Sequence, residues 1–430
     1  MSKKLGIITI ILILLATASY WVIQNNLINL QPEEKNKEVV EQLTLKGSNT
    51  VGESFAPKLA EAYLKSIGAR LIRTTKLESP VEKYVEGTLI RENRKIRIDI
   101  RAHGSSTGFK ALDEKVTEIA MSSRAIKGEE QANLSQKFGS VTEHPIALDA
   151  LAIVTYPNNP IDNLTIDQIA KIFSGEITNW KEIGGEDLAI SLYSRDDKSG
   201  TWDTFKSLVL KPFDKKLSET SARFESSNEL VDKVTNTPGA LGFVGVAYVQ
   251  KSKLLSVSAN PESIGSTPSG YTIGTQKYPL SRKLYFYTTG DKLSPLASDF
   301  INFVSRNEGQ KLAEQVGLIS YYPTHYQPEL LDKLTADRYR ELAAIGRRIT
   351  VNFATLETAA DKAKEERDIL RLKNYIEQNT HRKIVLVDFN NSPRTVELAN
   401  KLSNQQIQVL DTINIPDLKR SEDNIEVWAL

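Results

Sequence analysis

The sequence predicts an α/β fold built on mostly parallel sheets, followed by a separate small β-α-β-α-β unit. Three observations predict it. From Leu43 onward, short apolar runs alternate with stretches whose apolar residues recur at helical spacing, the pattern of strands joined by helices. Several of the loops leading from an apolar run into a helix are rich in Ser, Thr and Gly. A charged connecting stretch at 326–345 (YQPELLDKLTADRYRELAAI) divides this region from a second α/β segment.

In the first region, LTLKG (43–47) is a strand candidate, and ESFAPKLAEAYLKS (53–66) carries Phe55, Leu59 and Tyr63 on one helical face. IRIDIRA (96–102) alternates with period two and DALAIVTY (149–156) is a nearly continuous apolar run, so both read as strands. TIDQIAKIFSG (165–175) is a helix stopped by Gly175. AISLYSR (189–195), ALGFVGVAYV (240–249) and RKLYFYTT (282–289) are strands; TWDTFKSLVL (201–210) and 296–317 are helical. In the second segment, strands are expected at 348–354, 383–389 and 424–430, a long charged helix at 356–378 and another helix at 394–410. No repeat of solenoid length is present.

The 430 residues suit two or three domains, with 40% apolar and 25% charged residues, the composition of a soluble globular chain. The absence of cysteine excludes disulfides, thiolate metal sites and a Cys nucleophile. With 55 basic and 54 acidic residues there is no electrostatic footprint for nucleic acid. An anionic ligand must then be held by local geometry rather than by a broad field.

Lys3 and Lys4 precede an apolar run from Leu5 to Ile23 that is long enough to span a bilayer core of about 30 Å. The lysines favour a cytoplasmic N-terminus, so residues 1–26 read as an inner-membrane anchor with the rest of the chain outside. The alternative is a signal segment cleaved near Ala16-Thr17-Ala18, leaving a soluble periplasmic protein. Polar residues 27–43 read as a tether.

Arg195-Asp196-Asp197-Lys198-Ser199-Gly200-Thr201 lies between a strand and a helix. Gly200 permits close backbone approach, Ser199 and Thr201 offer hydroxyls, and the following helix start offers unpaired N–H groups. Arg195 could form a bidentate bond to an oxyanion. The same segment also reads as an ordinary helix cap. Gly47-Ser48-Asn49-Thr50-Val51-Gly52, Gly104-Ser105-Ser106-Thr107-Gly108 and Met121-Ser122-Ser123-Arg124 repeat the pattern. In open α/β sheets such loops converge at the carboxyl ends of the strands, where ligands bind.

Over residues 44–320, the stretches GSNTVGESFAPKLAEAY, GSSTGFKAL, IAMSSRAIKGEE, NLTIDQIAKIFSGEITNWKEIGG, SRDDKSGTWDTF and NTPGALGFVGVAYV resemble the phosphate-binding protein of ABC phosphate importers. The resemblance implies two α/β lobes around a cleft, lobe one from 44–148 and 284–322 and lobe two from 149–283. It also implies capture of phosphate or a related tetrahedral oxyanion for transport or sensing, with an importer permease or another envelope protein as partner. Its ligand residues carry over to Thr50, Val51, Ser105, Ser123, Arg195, Ser199, Gly200 and Thr201. The family's type members have an Asp where this chain has Ser123, which weakens the rejection of sulfate; Asp197 and Glu53 are the candidate substitutes. Arg124 is read as a surface residue, with a second cation near the ligand as the alternative.

Residues 347–430, beyond a linker at 323–346, resemble an OmpA-like domain in element order. Leu402-Ser403 sits where that family has its Leu-Ser pair, but its ligand-holding Asp aligns with Asn391 and its Arg with Gln406. The domain is read as degenerate, with peptidoglycan binding disfavoured. A second reading of the whole chain is a structural envelope protein with a non-binding scaffold. An enzyme is not expected: His103, His144, His325 and His381 show no metal spacing, no nucleophile elbow or P-loop is present, and no cofactor is implied. His103 is expected to be structural although it adjoins the Gly104 loop; Trp180 and Trp202 are expected in the core.

Overall fold

The computed structural model describes residues 39–290, 292–327, 337–354, 359–379, 383–389, 392–415 and 424–430, together with Thr17, Tyr20 and Trp21. The apolar run at 5–23 otherwise lies outside the described residues. Among those described, no helix is long and apolar enough to cross a membrane.

The first half of the fold is a sheet of β1 (Val39–Gly47), β2 (Arg70–Lys76), β3 (Glu82–Leu89), β4 (Arg94–Arg101) and β5 (Ile119–Ser122). A 15-residue strand, β6 (Val141–Thr155), then crosses into the second half, which holds β7 (Asn163–Thr165), β8 (Ser191–Arg195), β9 (Ala222–Phe224), β10 (Ala240–Gly245), β11 (Lys253–Leu254) and β12 (Ser256–Ser258). The chain returns along β13 (Ser281–Thr289), antiparallel to β6 and in register from Ser281 opposite Ala150 to Thr289 opposite Val141, with one irregularity at Leu284/Tyr285. The order across the large sheet is β2-β3-β4-β1-β5-β13-β6-β10-β8-β9. β1 is parallel to both β4 and β5, and β8 to both β10 and β9. The result is a mixed α/β architecture of two lobes joined by the β6–β13 pair.

Each lobe has its own core. Lobe one buries Leu45, Phe55, Ile98, Met121, Phe286 and Phe300; lobe two buries Ile153, Phe173, Trp180, Phe205 and Phe243. Periodicity explains the elements. In β4 the isoleucines 96, 98 and 100 all point inward and are at most 1% exposed, as a half-buried strand requires. β6 is buried without a break from Ile146 to Thr155, because it runs mid-sheet with layers on both faces. The helix Ile166–Ser174 begins with a reciprocal cap, Gln168 N donating to Thr165 Oγ1 (3.1 Å) and Thr165 N to Gln168 Oε1 (2.9 Å). It stops at Gly175, whose φ of +83° suits glycine.

The C-terminal domain is a four-stranded sheet ordered β14-β17-β15-β16, from β14 (Arg347–Ala354), β15 (Lys383–Asp388), β16 (Gln408–Asn414) and β17 (Asn424–Ala429), with helices Ala359–Gln378 and Arg394–Asn404. It docks on lobe two and the exit from lobe one. Tyr326 N donates to Arg348 O and Thr350 N to Thr324 O, Arg348 stacks 3.6 Å over the Tyr271 ring, and Arg371 Nε donates to Tyr321 O (2.8 Å).

Several expectations are corrected. The helix expected over 394–410 ends at Asn404: Gln406 takes a left-handed φ of +65°, and the β-branched Val409 and Ile413 continue as β16. The stretch at 326–345 contains a helix, Asp337–Ile345, which buries Tyr339 and Leu342. β1 opens at Val39, inside the expected tether, because residues 39–46 find a parallel partner in β4. The helix expected over 201–210 is α-helical only to Phe205 and continues as a wider π-turn over Lys206–Leu210. The β2–β3 hairpin carries no sequence signal, since β2 is mostly exposed and shows no apolar alternation.

Candidate functional site between the lobes

Four of the hydroxyl-rich loops lie at the carboxyl ends of β1, β4, β5 and β8. The loop after β1 is shaped by Gly47, at φ +134°, where a Cβ would overlap the Met121 carbonyl. It presents Thr50, 3% exposed. Val51 is fully buried, its N–H bonded to Ser48 Oγ (3.4 Å). From lobe two, Ser199 caps the next helix by accepting from Thr201 N (3.2 Å) and Trp202 N (3.4 Å). Across the lobes, Thr50 Oγ1 and Thr201 Oγ1 stand 3.2 Å apart.

Ser105 and Ser123 complete the cluster. Ser123 N donates to Ser105 Oγ (3.0 Å), and the two hydroxyls are 3.4 Å apart. Gly200 of lobe two packs directly on this pair, so that a side chain at 200 would overlap both hydroxyls. Thr204 Oγ1 donates to the carbonyls of Gly200 (2.8 Å) and Ser123 (3.3 Å). Seven of the eight residues expected to bind ligand are therefore gathered at one interlobe contact, in a closed arrangement.

Arg195 departs from expectation. Its side chain is buried, but Nε donates to Phe224 O (3.1 Å), Nη1 to Ser227 Oγ (2.7 Å) and Nη2 to Glu225 O. None of these bonds reaches the hydroxyl cluster. Burial pushes the Arg195 guanidinium below its ordinary value, against the pull of Glu53 and Asp196.

The guanidinium at the threonine pair belongs to Arg282, which the sequence reading missed. Arg282 Nη1 donates to Thr201 Oγ1 (2.9 Å) and Nη2 to Thr50 Oγ1 (3.3 Å). It faces Asp149, its register partner on β6, through Nε (2.9 Å) and Nη2 (2.6 Å) on one carboxylate oxygen; the other oxygen accepts from Val246 N (3.2 Å). Both side chains are at most 4% exposed. A buried cation that spans the two lobes and is neutralised by its own carboxylate supplies direction without a large net charge.

Arg124 is also corrected. It is 7% exposed because it forms a bidentate pair with Glu130 (2.7 and 2.8 Å) and reaches Asp203 of lobe two (2.7 Å). Its neighbour Lys127 adds a second bond to Asp203 (3.1 Å). His103 is a cross-lobe contact too, Nε2 meeting Glu82 (2.8 Å) and Nδ1 meeting Glu225 of lobe two (3.0 Å). Of the two proposed substitutes for the missing Asp, Asp197 is exposed and paired with Arg223. Glu53 is different: Asn228 Nδ2 donates to its Oε2 (3.3 Å), while Oε1 is buried with no hydrogen-bond partner. Burial raises the Glu53 carboxyl above its ordinary value, and Arg195, the Ser227 N–H and Lys83 partly offset this. Trp180 and Trp202 are core residues, 1% and 7% exposed.

Residues 73–308 match the PBP superfamily domain. The chain is 33% identical over 260 residues to the phosphate-binding protein PstS of Borreliella burgdorferi, covering 59% of this chain and 88% of the relative. It is 28% identical over 252 residues to PstS of Bacillus subtilis, covering 59% and 80%. Among solved structures, an ABC-type phosphate transport receptor from Vibrio cholerae is 26% identical with a TM-score of 0.49, covering 64% of this chain and 99% of that one. The chain thus belongs to the PBP superfamily, as a relative of the PstS phosphate-binding proteins.

Proposed function

We propose that the chain captures phosphate between its lobes; its PstS relatives are named phosphate-binding proteins. The observation that carries the reading is the cross-lobe cluster of Thr50, Thr201 and Arg282, with Ser105, Ser123 and Gly200 beside it. Each hydroxyl there can rotate its proton from a neighbouring oxygen to an anion. When the lobes part and reclose on a tetrahedral oxyanion, the hydroxyl pairs exchange their mutual contacts for bonds to it. Ser199, Val51 and the Gly200 backbone frame the same point. Arg195 acts at one remove, fixing the loop at 224–227 against β8. Glu53, whose Oε1 has no hydrogen-bond partner, accepts a hydrogen bond from the O–H of a monoprotonated phosphate in place of the family's Asp.

The apolar run at 5–23 supports an envelope location, with the run as an inner-membrane anchor or a cleaved signal. An importer permease is the partner this reading supplies. The C-terminal domain, read as a degenerate OmpA-like domain, serves as a docking domain rather than a peptidoglycan binder, because Asn391 and Gln406 carry no charge at that family's Asp and Arg positions.

Calorimetry with phosphate, arsenate and sulfate tests the proposal. Phosphate and arsenate should bind at one site per chain, and Thr201→Val should abolish binding. If none of the three anions binds, the chain is a scaffold, a reading favoured by the use of Arg195 within the protein.

A further inference from the structure

Arg282 also lines a pocket of about 480 Å³ that opens between the lobes. This falls in the range of small-molecule sites and gives far more room than one tetrahedral anion needs. Its charge is one-sided. Arg124 and Lys127 line it from lobe one, Lys206 and Lys211 from lobe two, and Arg282 and Lys283 from β13, against the single carboxylate of Asp203. The chain as a whole is balanced, 55 basic to 54 acidic residues.

Half of these cations are compensated: Arg124 by Glu130 and Asp203, Lys127 by Asp203, Arg282 by Asp149. Lys206, Lys211 and Lys283 have no ion-pair partner among the described residues. Burial lowers the Lys283 ammonium below its ordinary value. Arg367 and Arg371 of the C-terminal domain add repulsion that Glu143 and Asp368 only partly offset. Three uncompensated ammonium groups around one open pocket are stabilised by a multiply charged anion.

We infer that this pocket is a second anion subsite, and that the chain takes a condensed inorganic phosphate whose terminal group sits at the Thr50–Thr201–Arg282 cluster and whose remaining phosphates lie among Lys206, Lys211 and Lys283. Arg282 lines the pocket and bonds both threonines, so one guanidinium joins the two subsites. The inference rests on the phosphate reading of the threonine cluster.

The test is calorimetry of the full chain with orthophosphate and with tripolyphosphate, on the parent and on the double variant Lys206→Ser/Lys211→Ser. Both lysines are exposed, and thermal unfolding checks that the variant keeps the parent midpoint. Tripolyphosphate should bind the parent about tenfold or more tighter than orthophosphate, and the double variant should lose about tenfold for tripolyphosphate while orthophosphate is unchanged. Orthophosphate binding with tripolyphosphate no tighter, or equal losses for both anions, overturns the subsite and leaves the phosphate reading intact. If neither anion binds the folded parent, both fall.

Discussion

Replacing Arg282 with Met separates its two roles. Asp149 is fully buried, and without Arg282 its carboxylate keeps only the Val246 N–H among the hydrogen bonds seen here. Breaking one side of a buried pair costs about 3–5 kcal/mol because a charge is stranded. At about 2–4 °C per kcal/mol for a domain of this size, Arg282→Met should lower the unfolding midpoint by roughly 6–20 °C. Adding Asp149→Asn removes the stranded charge while keeping an acceptor for Val246 N, and should recover most of that loss. Phosphate affinity should not recover, since the donors to Thr50 and Thr201 are still absent. Thermal unfolding and calorimetry on the three proteins give the answer. A destabilisation below about 1 kcal/mol for Arg282→Met would refute the buried-pair argument, and parental phosphate affinity in the double variant would refute the role of Arg282 at the site.

Gly200→Ala places a methyl group against Ser105 and Ser123; it should hold the lobes apart and abolish phosphate binding, with a stability loss of about 1–3 kcal/mol by denaturant unfolding. Asp203→Asn weakens the Arg124 and Lys127 contacts across the lobes and should speed phosphate release in stopped-flow by roughly threefold to tenfold while Arg124 stays paired with Glu130. His144, which contacts Thr288 Oγ1 (3.1 Å), has its imidazole lowered by burial from the ordinary 6.5. The unfolded chain therefore binds the proton more readily, so stability is full above that value and falls as pH drops through it towards the folded-state value. His144→Gln should flatten this part of the stability–pH curve, and an unchanged slope would contradict it.

How much was legible in the sequence follows from which signals are local. The stop at Gly175 and the alternation of β4 are written within a few residues, and the structure has both. The hydroxyl loops were legible for the same reason, since strand, small residues and helix start are contiguous. Arg282 was not. In RKLYFYTT it reads as an ordinary strand cation, and its meaning comes from Asp149, 133 residues away on an antiparallel neighbour. Arg124 looked exposed because most arginines are; the carboxylates that bury it lie in Glu130 and, across the cleft, Asp203. The carbonyls that hold Arg195 in the structure were not legible either, because they come from residues 224 and 225 on another strand and loop. Side-chain direction at a strand end is set by tertiary neighbours rather than by the motif.

The most direct test is a crystal of the chain grown with arsenate and measured at the arsenic absorption edge. One anomalous peak should lie within hydrogen-bond distance of Thr50 Oγ1, Thr201 Oγ1 and the Gly200 backbone, with Arg282 still on Asp149. A fully occupied peak elsewhere, with the two threonine hydroxyls still bonded to each other, would contradict the interlobe site.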